Sequence, residues 1–265
     1  GLARNNSSTA LRIVGDDGSD VARSFEDMRV ASDRAANFLR AHGIRRGDRL
    51  LVMLPNRAEL WELMLAAMKL GAVLSPATTL LSEADLSDRI TRGQMRAVIV
   101  DADFVDRFAG LADGCIRIQV NGQASGWVDY AAAADASERF QPEGDTPSGD
   151  PCVLYFTSGT TSKPKMVQHS HYSYPVGHLS TLYWLGLQAD DVHLNISSPG
   201  WAKHAWSCFF APWTIGATVF VYNQGRFDAK ATLATLVRSG VTTLCAPPTA
   251  WRGLILEDLK QYPVQ

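Results

Sequence analysis

Residues 155–165 read Tyr155-Phe-Thr-Ser-Gly-Thr-Thr-Ser-Lys-Pro-Lys165 and continue the apolar run Cys152-Val-Leu-Tyr-Phe156. The run reads as a buried strand, and it empties into a loop with two Ser, three Thr, one Gly and two Lys. Such a loop suits a polyphosphate: hydroxyl and backbone N–H groups donate hydrogen bonds, and ammonium groups neutralise charge. Gly159 allows close backbone approach, and Pro164 limits the directions open to Lys165. The common P-loop needs Gly-x4-Gly-Lys-Ser/Thr, whereas here Thr-Thr-Ser-Lys-Pro-Lys follows Gly159 without a second Gly. The spacing therefore excludes a conventional P-loop ATPase. A Ser/Thr-rich surface turn is the plain alternative, and the length of the pattern weighs against it.

Outward from this loop, strand-like runs alternate with helical ones. Ser24 is read as the N-cap of a helix to about His42, with Asp27 three residues on as a capping-box partner and Gly43 as its stop. Leu50–Leu54, Ala72–Ser75 and Arg96–Val100 read as strands, and Glu59–Leu70 and Ser82–Arg92 as helices. The Gly/Pro/Asp-rich stretch Gln141–Pro151 reads as a linker. Beyond the loop the spacing predicts a helix over Ser170–Leu185, a strand over His193–Ser197 and a helix over Trp206–Trp213. A strand at Thr218–Tyr222, a helix at Asp228–Arg238 and a strand at Val241–Ala246 follow. Strands separated by helices of about ten residues predict an α/β fold with mainly parallel sheets flanked by helices.

The 265 residues are 46% hydrophobic and 20% charged, with net charge −2, an ordinary composition for a globular chain. This balance carries no electrostatic footprint for nucleic acid, and no apolar run is long enough to span a bilayer as a helix. The first residues do not read as a signal peptide. Cys115, Cys152, Cys208 and Cys245 stand far apart and read as thiols in a reducing compartment; a cytoplasmic location is the expectation. His169 and His171 lack the spacing of a helical two-His zinc motif, and no metal site is expected on the chain's own side chains.

The loop resembles the phosphate-binding signature of the acyl-adenylate-forming (AMP-binding) superfamily: Tyr/Phe, then Thr-Ser-Gly-Ser/Thr-Thr-Gly-x-Pro-Lys. The match covers Phe156 to Thr161, Pro164 and Lys165. Ser162 departs from the usual Gly, and Met166 is similar to the Pro-Lys-Met of the medium-chain branch. Lys69-Leu-Gly-Ala-Val-Leu-Ser-Pro76, Ser198-Pro-Gly-Trp-Ala-Lys-His-Ala-Trp206 and Cys245-Ala-Pro-Pro-Thr-Ala-Trp-Arg252 also resemble elements of acetyl-CoA and medium-chain acyl-CoA synthetases. The chain then corresponds to the first part of the large N-terminal domain of such an enzyme. Residues 1–150 would form its first α/β segment, and 151–265 the phosphate-loop and acyl-pocket segment.

The resemblance implies an acyl-CoA synthetase that activates a carboxylic acid as acyl-AMP and passes it to CoA, with ATP, Mg²⁺ and CoA as cofactors. It assigns phosphate binding to Thr157, Ser158, Gly159, Thr160, Thr161 and Lys165. It assigns the acyl pocket to Gly200, Trp201 and His204, while Trp206 and Trp213, spaced helically with Phe209 and Phe210, read as core. No catalytic residue is assigned within the chain. The adenine and ribose ligands and the C-terminal domain of the family have no counterpart here, so the chain alone is expected to be inactive. Loading of a carrier protein, or a non-catalytic nucleotide-binding module, are the alternatives. A homodimer is compatible with the sequence and demanded by nothing in it.

Overall fold

A computed structural model describes residues 2–157 and 163–263. The chain runs β1 (Thr9–Gly15), β2 (Asp20–Ser24), α1 (Phe25–Ala41), β3 (Arg49–Met53), α2 (Ala58–Leu70), β4 (Val73–Pro76), α3 (Glu83–Gly93), β5 (Ala97–Asp101), β6 (Ile116–Val120) and β7 (Val128–Asp129). It continues through β8 (Pro151–Thr157), β9 (Lys165–Ser170), α4 (Ser173–Leu185), β10 (Val192–Asn195), α5 (Ala202–Ala205), α6 (Ala211–Ile215), β11 (Thr218–Asn223), α7 (Ala229–Arg238), β12 (Thr243–Cys245) and α8 (Pro248–Leu254).

These elements divide into two compact units that interleave along the chain. The first contains residues 1–28, 175–198 and 202–265, and the second contains residues 29–174 and 199–201. The expected segments 1–150 and 151–265 each contribute to both.

The second unit is built on a seven-stranded sheet in the order β7-β6-β5-β3-β4-β8-β9. Its pairs are parallel except the edge pair β8–β9. Strands β3, β4 and β5 read Arg-Leu-Leu-Val-Met, Val-Leu-Ser-Pro and Ala-Val-Ile-Val-Asp, and are buried almost throughout. Parallel strands covered on both faces require such continuous apolar runs. Leu51, Met53, Val98, Val100 and Leu154 share one core with Leu86 and Ile90 of α3. The helix begins where Ser82 and Asp85 close a capping box, and α2 ends where Gly71 takes a left-handed conformation, both as local sequence dictates.

The first unit carries the order β12-β10-β11-β1-β2, with β1–β2 its antiparallel edge pair. Val14, Leu194, Phe220, Leu233 and Leu236 gather in its core. Asp228 caps α7 through the Ala231 amide, as expected. The continuous helix expected over Trp206–Trp213 is instead α5, a π-turn over Trp206–Phe210 and α6, with Cys208 off helical geometry at φ −119° and ψ 15°. The helix expected from Ser170 starts at Ser173 because Lys165–Ser170 pairs with β8.

The expected linker has no regular structure, yet it is held along its length within the second unit. Asn37 donates to the Ser137 and Arg139 carbonyls, Arg40 to that of Gln141 and Arg46 to those of Gly144 and Asp145. Asn37 and Arg40 lie three residues apart on α1, so their side chains project from one helix face. The chain therefore enters β8 as a strap fixed through its own backbone.

Candidate active site

Strand β8 ends at Thr157 and β9 begins at Lys165, on either side of the Ser/Thr-rich segment. The ladder pairs Tyr155 with Val167, Phe156 with Met166 and Thr157 with Lys165. Thr157 and Lys165 therefore close the loop as its last facing pair. Directly opposed residues of an antiparallel pair project from the same face, so a hydroxyl and an ammonium stand together at the mouth. Ser158, Gly159, Thr160 and Thr161, expected to bind phosphate, lie outside the described residues. Lys165 is exposed, and Thr157 is half-buried.

Helix α3 braces the exit of this hairpin. Arg92 donates to the Pro164 carbonyl at 2.8 Å and pairs with Asp88 at 2.8 Å. The Arg89 and Arg92 guanidiniums lie 5.3 and 5.8 Å from the Phe156 ring centroid, within cation–π range. Burial lowers the Arg89 pKa against the opposing pull of Asp85 and Asp88. Lys163 is exposed, with its Nζ 3.9 Å from Asp88. The sequence reading missed Arg89 and Arg92; their spacing on a capped helix was visible, but not that the helix reaches the loop. Behind the strand, the Tyr174 hydroxyl donates to that of Tyr155 at 2.9 Å. Burial is the first cause that raises the Tyr155 pKa well above its ordinary value.

The Gly200–Trp201 turn belongs to the same unit. Gly200 has φ +94°, and a Cβ there would overlap the Thr78 amide nitrogen and the Ala77 carbonyl carbon, with the Thr78 Cα at 2.8 Å. Only glycine satisfies both the backbone conformation and this approach. Ala77 and Thr78 follow β4, the strand beside β8. The hairpin and the Gly200 contact thus lie at the carboxyl ends of two adjacent parallel strands, where open α/β sheets bind ligands. Trp201 is 62% exposed.

His204 groups with the first unit and is 3% exposed. Burial lowers its pKa to about 3, so the ring is neutral at physiological pH. Trp213 is a packing residue, as expected: its ring lies 4.9 Å from that of Phe209 and 6.2 Å from that of Phe25, and its Nε1 donates to the Ala10 carbonyl at 2.9 Å. His169 lies against the Tyr174 ring at 4.7 Å, and burial lowers its pKa.

The AMP-binding enzyme family matches this sequence over residues 2–264. The chain belongs to that family. Among similar proteins, the chain is 37% identical over 252 residues to 4-hydroxybutyrate–CoA ligase 1 of Metallosphaera sedula, covering 92% of the chain and 43% of the relative. It is 35% identical over 255 residues to the human mitochondrial acyl-coenzyme A synthetase ACSM5, covering 94% and 44%. The crystal structure of a Brucella canis acyl-CoA synthetase superposes with TM-score 0.83 at 30% identity, over 94% of this chain and 46% of that one. The chain thus spans less than half the length of these relatives. Among its described residues no helix is long and apolar enough to cross a membrane.

Proposed function

We propose that the full-length protein is an ATP-dependent acyl-CoA synthetase. The single observation that carries this reading is the placement of two elements at adjacent strand ends. The Thr157–Lys165 hairpin follows β8, and the Gly200–Trp201 turn sits on the residues after β4. One element suits phosphates and the other presents an aromatic face beside close backbone.

In this reading the ATP phosphates lie at the hairpin mouth, where Lys165 supplies positive charge, Thr157 a hydroxyl, and the intervening loop its N–H groups. Mg²⁺ would accompany the ATP and draw electron density from the phosphates. A carboxylate oxygen of the acid bonds to the α-phosphorus, the bond to the bridging oxygen breaks, and pyrophosphate leaves with that electron pair. The thiol of CoA then attacks the acyl carbon, AMP departs, and the thiol proton passes to solvent. The chain's own residues contribute charge at the departing pyrophosphate and orientation of the acid. Lys165 has the first role, and Gly200 and Trp201 the second. Two named relatives, the Metallosphaera sedula ligase and the human synthetase, support CoA as acceptor.

The test is ATP–pyrophosphate exchange by the full-length protein with a panel of acids, followed by CoA thiol consumption with each acid that supports exchange. The proposal expects both activities. Exchange without thiol consumption would remove CoA as acceptor, and no exchange with any acid would remove adenylation.

A further inference from the structure

One arginine of α3 touches both arms of the hairpin that Thr157 and Lys165 close. The Arg92 guanidinium lies 5.8 Å from the ring centroid of Phe156, on the arriving arm. Its Nη2 donates to the Pro164 carbonyl at 2.8 Å, on the departing arm. Its Nη1 pairs with Asp88 at 2.8 Å, one helical turn back. The other Asp88 oxygen lies 3.9 Å from the Lys163 Nζ. The helix beneath these groups is firmly seated. Ser82 and Asp85 fix its start, and Leu86 and Ile90 share a core with Leu154 of β8, against which Phe156 also packs. Phe156 and Thr157 are neighbours on one strand, so they project to opposite faces. Arg92 therefore meets the hairpin on the face opposite Thr157 and Lys165.

We infer that Arg92 is a positioning residue, which sets the direction of the Lys165 side chain by holding the carbonyl of the peptide bond before it. The peptide unit is planar, so the Pro164 oxygen and the Lys165 nitrogen move as one body. Pro164 restricts its own φ, Arg92 fixes the peptide plane that follows, and the ladder pair with Thr157 fixes Lys165 from the other arm. Lys carries a point charge on a flexible four-carbon stem, so the place where that stem starts decides what the charge can reach. Asp88 keeps the guanidinium turned toward the carbonyl. The inference rests on the acyl-CoA synthetase reading, in which Lys165 meets the ATP phosphates, and adds to that site a residue 72 positions before Pro164. A merely structural Arg92 would behave differently. An i,i+4 ion pair on a helix stabilises it only slightly, and that contribution is the same whether or not Lys165 is present.

The experiment is a double-mutant cycle in the full-length protein, with ATP affinity read by titration calorimetry and KM for the acid by pyrophosphate exchange. Arg92→Ala is expected to weaken ATP binding about 10-fold, a coupling usual for residues of one network, and to change KM for the acid less than about 2-fold. In the Lys165→Ala background the same substitution should weaken ATP binding less than about 2-fold, because no ammonium is left to direct. Asp88→Asn keeps the donor and loses its ion pair, so it should fall between wild type and Arg92→Ala, and it supplies the same cycle should Arg92→Ala not fold. Urea midpoints should match that of wild type, since Arg92 is partly exposed. An equal loss in both backgrounds, no loss in either, or a loss that tracks a fallen urea midpoint would overturn this inference and leave the synthetase reading standing. A wild type that binds ATP but exchanges with no acid would overturn the synthetase reading alone, and one that does neither would overturn both.

Discussion

The Thr157–Lys165 hairpin and the Gly200 turn reach neighbouring strand ends by opposite routes. The hairpin is local: residues 151–157 and 165–170 pair in one antiparallel ladder, and the closing pair is Thr157 with Lys165. The Gly200 turn is remote: its seat is Ala77–Thr78, far away in sequence, and it is fixed by a backbone approach that leaves no room for a side chain. A ladder distributes its stability over many hydrogen bonds, so one side chain at its mouth can specialise in chemistry. A single close approach concentrates its tolerance at one atom. Substitutions in the hairpin should therefore cost activity with little cost in stability, and those in the turn should cost both.

The largest expected effect is on rate. Lys165→Ala should lower exchange by about 10²–10³-fold, the usual consequence of losing one charge-stabilising donor. Its urea midpoint should match that of wild type, since the side chain is exposed. A fallen midpoint would break the comparison. Next, Gly200→Ala forces a Cβ into the Thr78 backbone at positive φ. Strain of that kind and overpacking each cost about 1–3 kcal/mol, so urea unfolding should show a loss of about 2–6 kcal/mol, together with weaker exchange. A neutral Gly200→Ala would mean that the turn is seated differently.

The third effect is a pH dependence that belongs to the first unit. His193 is buried with Nδ1 2.8 Å from the Thr243 hydroxyl and Nε2 3.1 Å from that of Ser207. Burial lowers its pKa from 6.5 to about 4, against a smaller upward pull from Asp191. Between those values the unfolded chain binds a proton that the folded chain does not, so stability rises with pH across this window. Acidification from 6.5 toward 4 should accordingly destabilise the fold. Buried His204, lowered from 6.5 to about 3, adds to the same slope and carries it to lower pH. His193→Gln should lessen the pH dependence of the urea midpoint between pH 6.5 and 4, and an unchanged slope would show that His193 does not contribute to it. The smallest effect is Trp213→Phe, which forfeits the hydrogen bond to Ala10 and should cost about 1 kcal/mol without moving KM for any acid.

Much of the fold was legible because its signals are local. Ser24 and Asp27 exchange hydrogen bonds at the start of α1, as do Ser82 and Asp85 at α3, and both boxes are visible in four residues. The apolar runs of β3, β5 and β8 announce themselves for the same reason. Strand β9 was not legible: Lys165-Met-Val-Gln-His-Ser170 is an edge strand with much of its length exposed, so no apolar pattern marks it. Strands β1 and β2 escaped because β1 takes its parallel partner from β11 near the other end of the chain.

The candidate site divides in the same way. Thr157 and Lys165 were identified from contiguous residues, but the ladder that sets them face to face depends on the strand that was missed. Arg89 and Arg92 showed a helical spacing with nothing to say that it meets Phe156 and Pro164. The seat of Gly200 on Thr78 leaves no periodic trace at all. His204 lies three residues beyond Trp201 in sequence, yet it is buried on α5 and groups with the first unit, whereas Trp201, before that helix, is exposed and groups with the second.

The most direct test of the central claim, that hairpin and turn are two halves of one site, separates the Michaelis constants. ATP–pyrophosphate exchange by full-length wild type, Lys165→Ala and Trp201→Ala would be measured against ATP and against an apolar acid in turn. The account predicts that Lys165→Ala raises KM for ATP and leaves that for the acid, and that Trp201→Ala does the reverse. Exchange that is absent from wild type, or two variants that move the same constant, would contradict it.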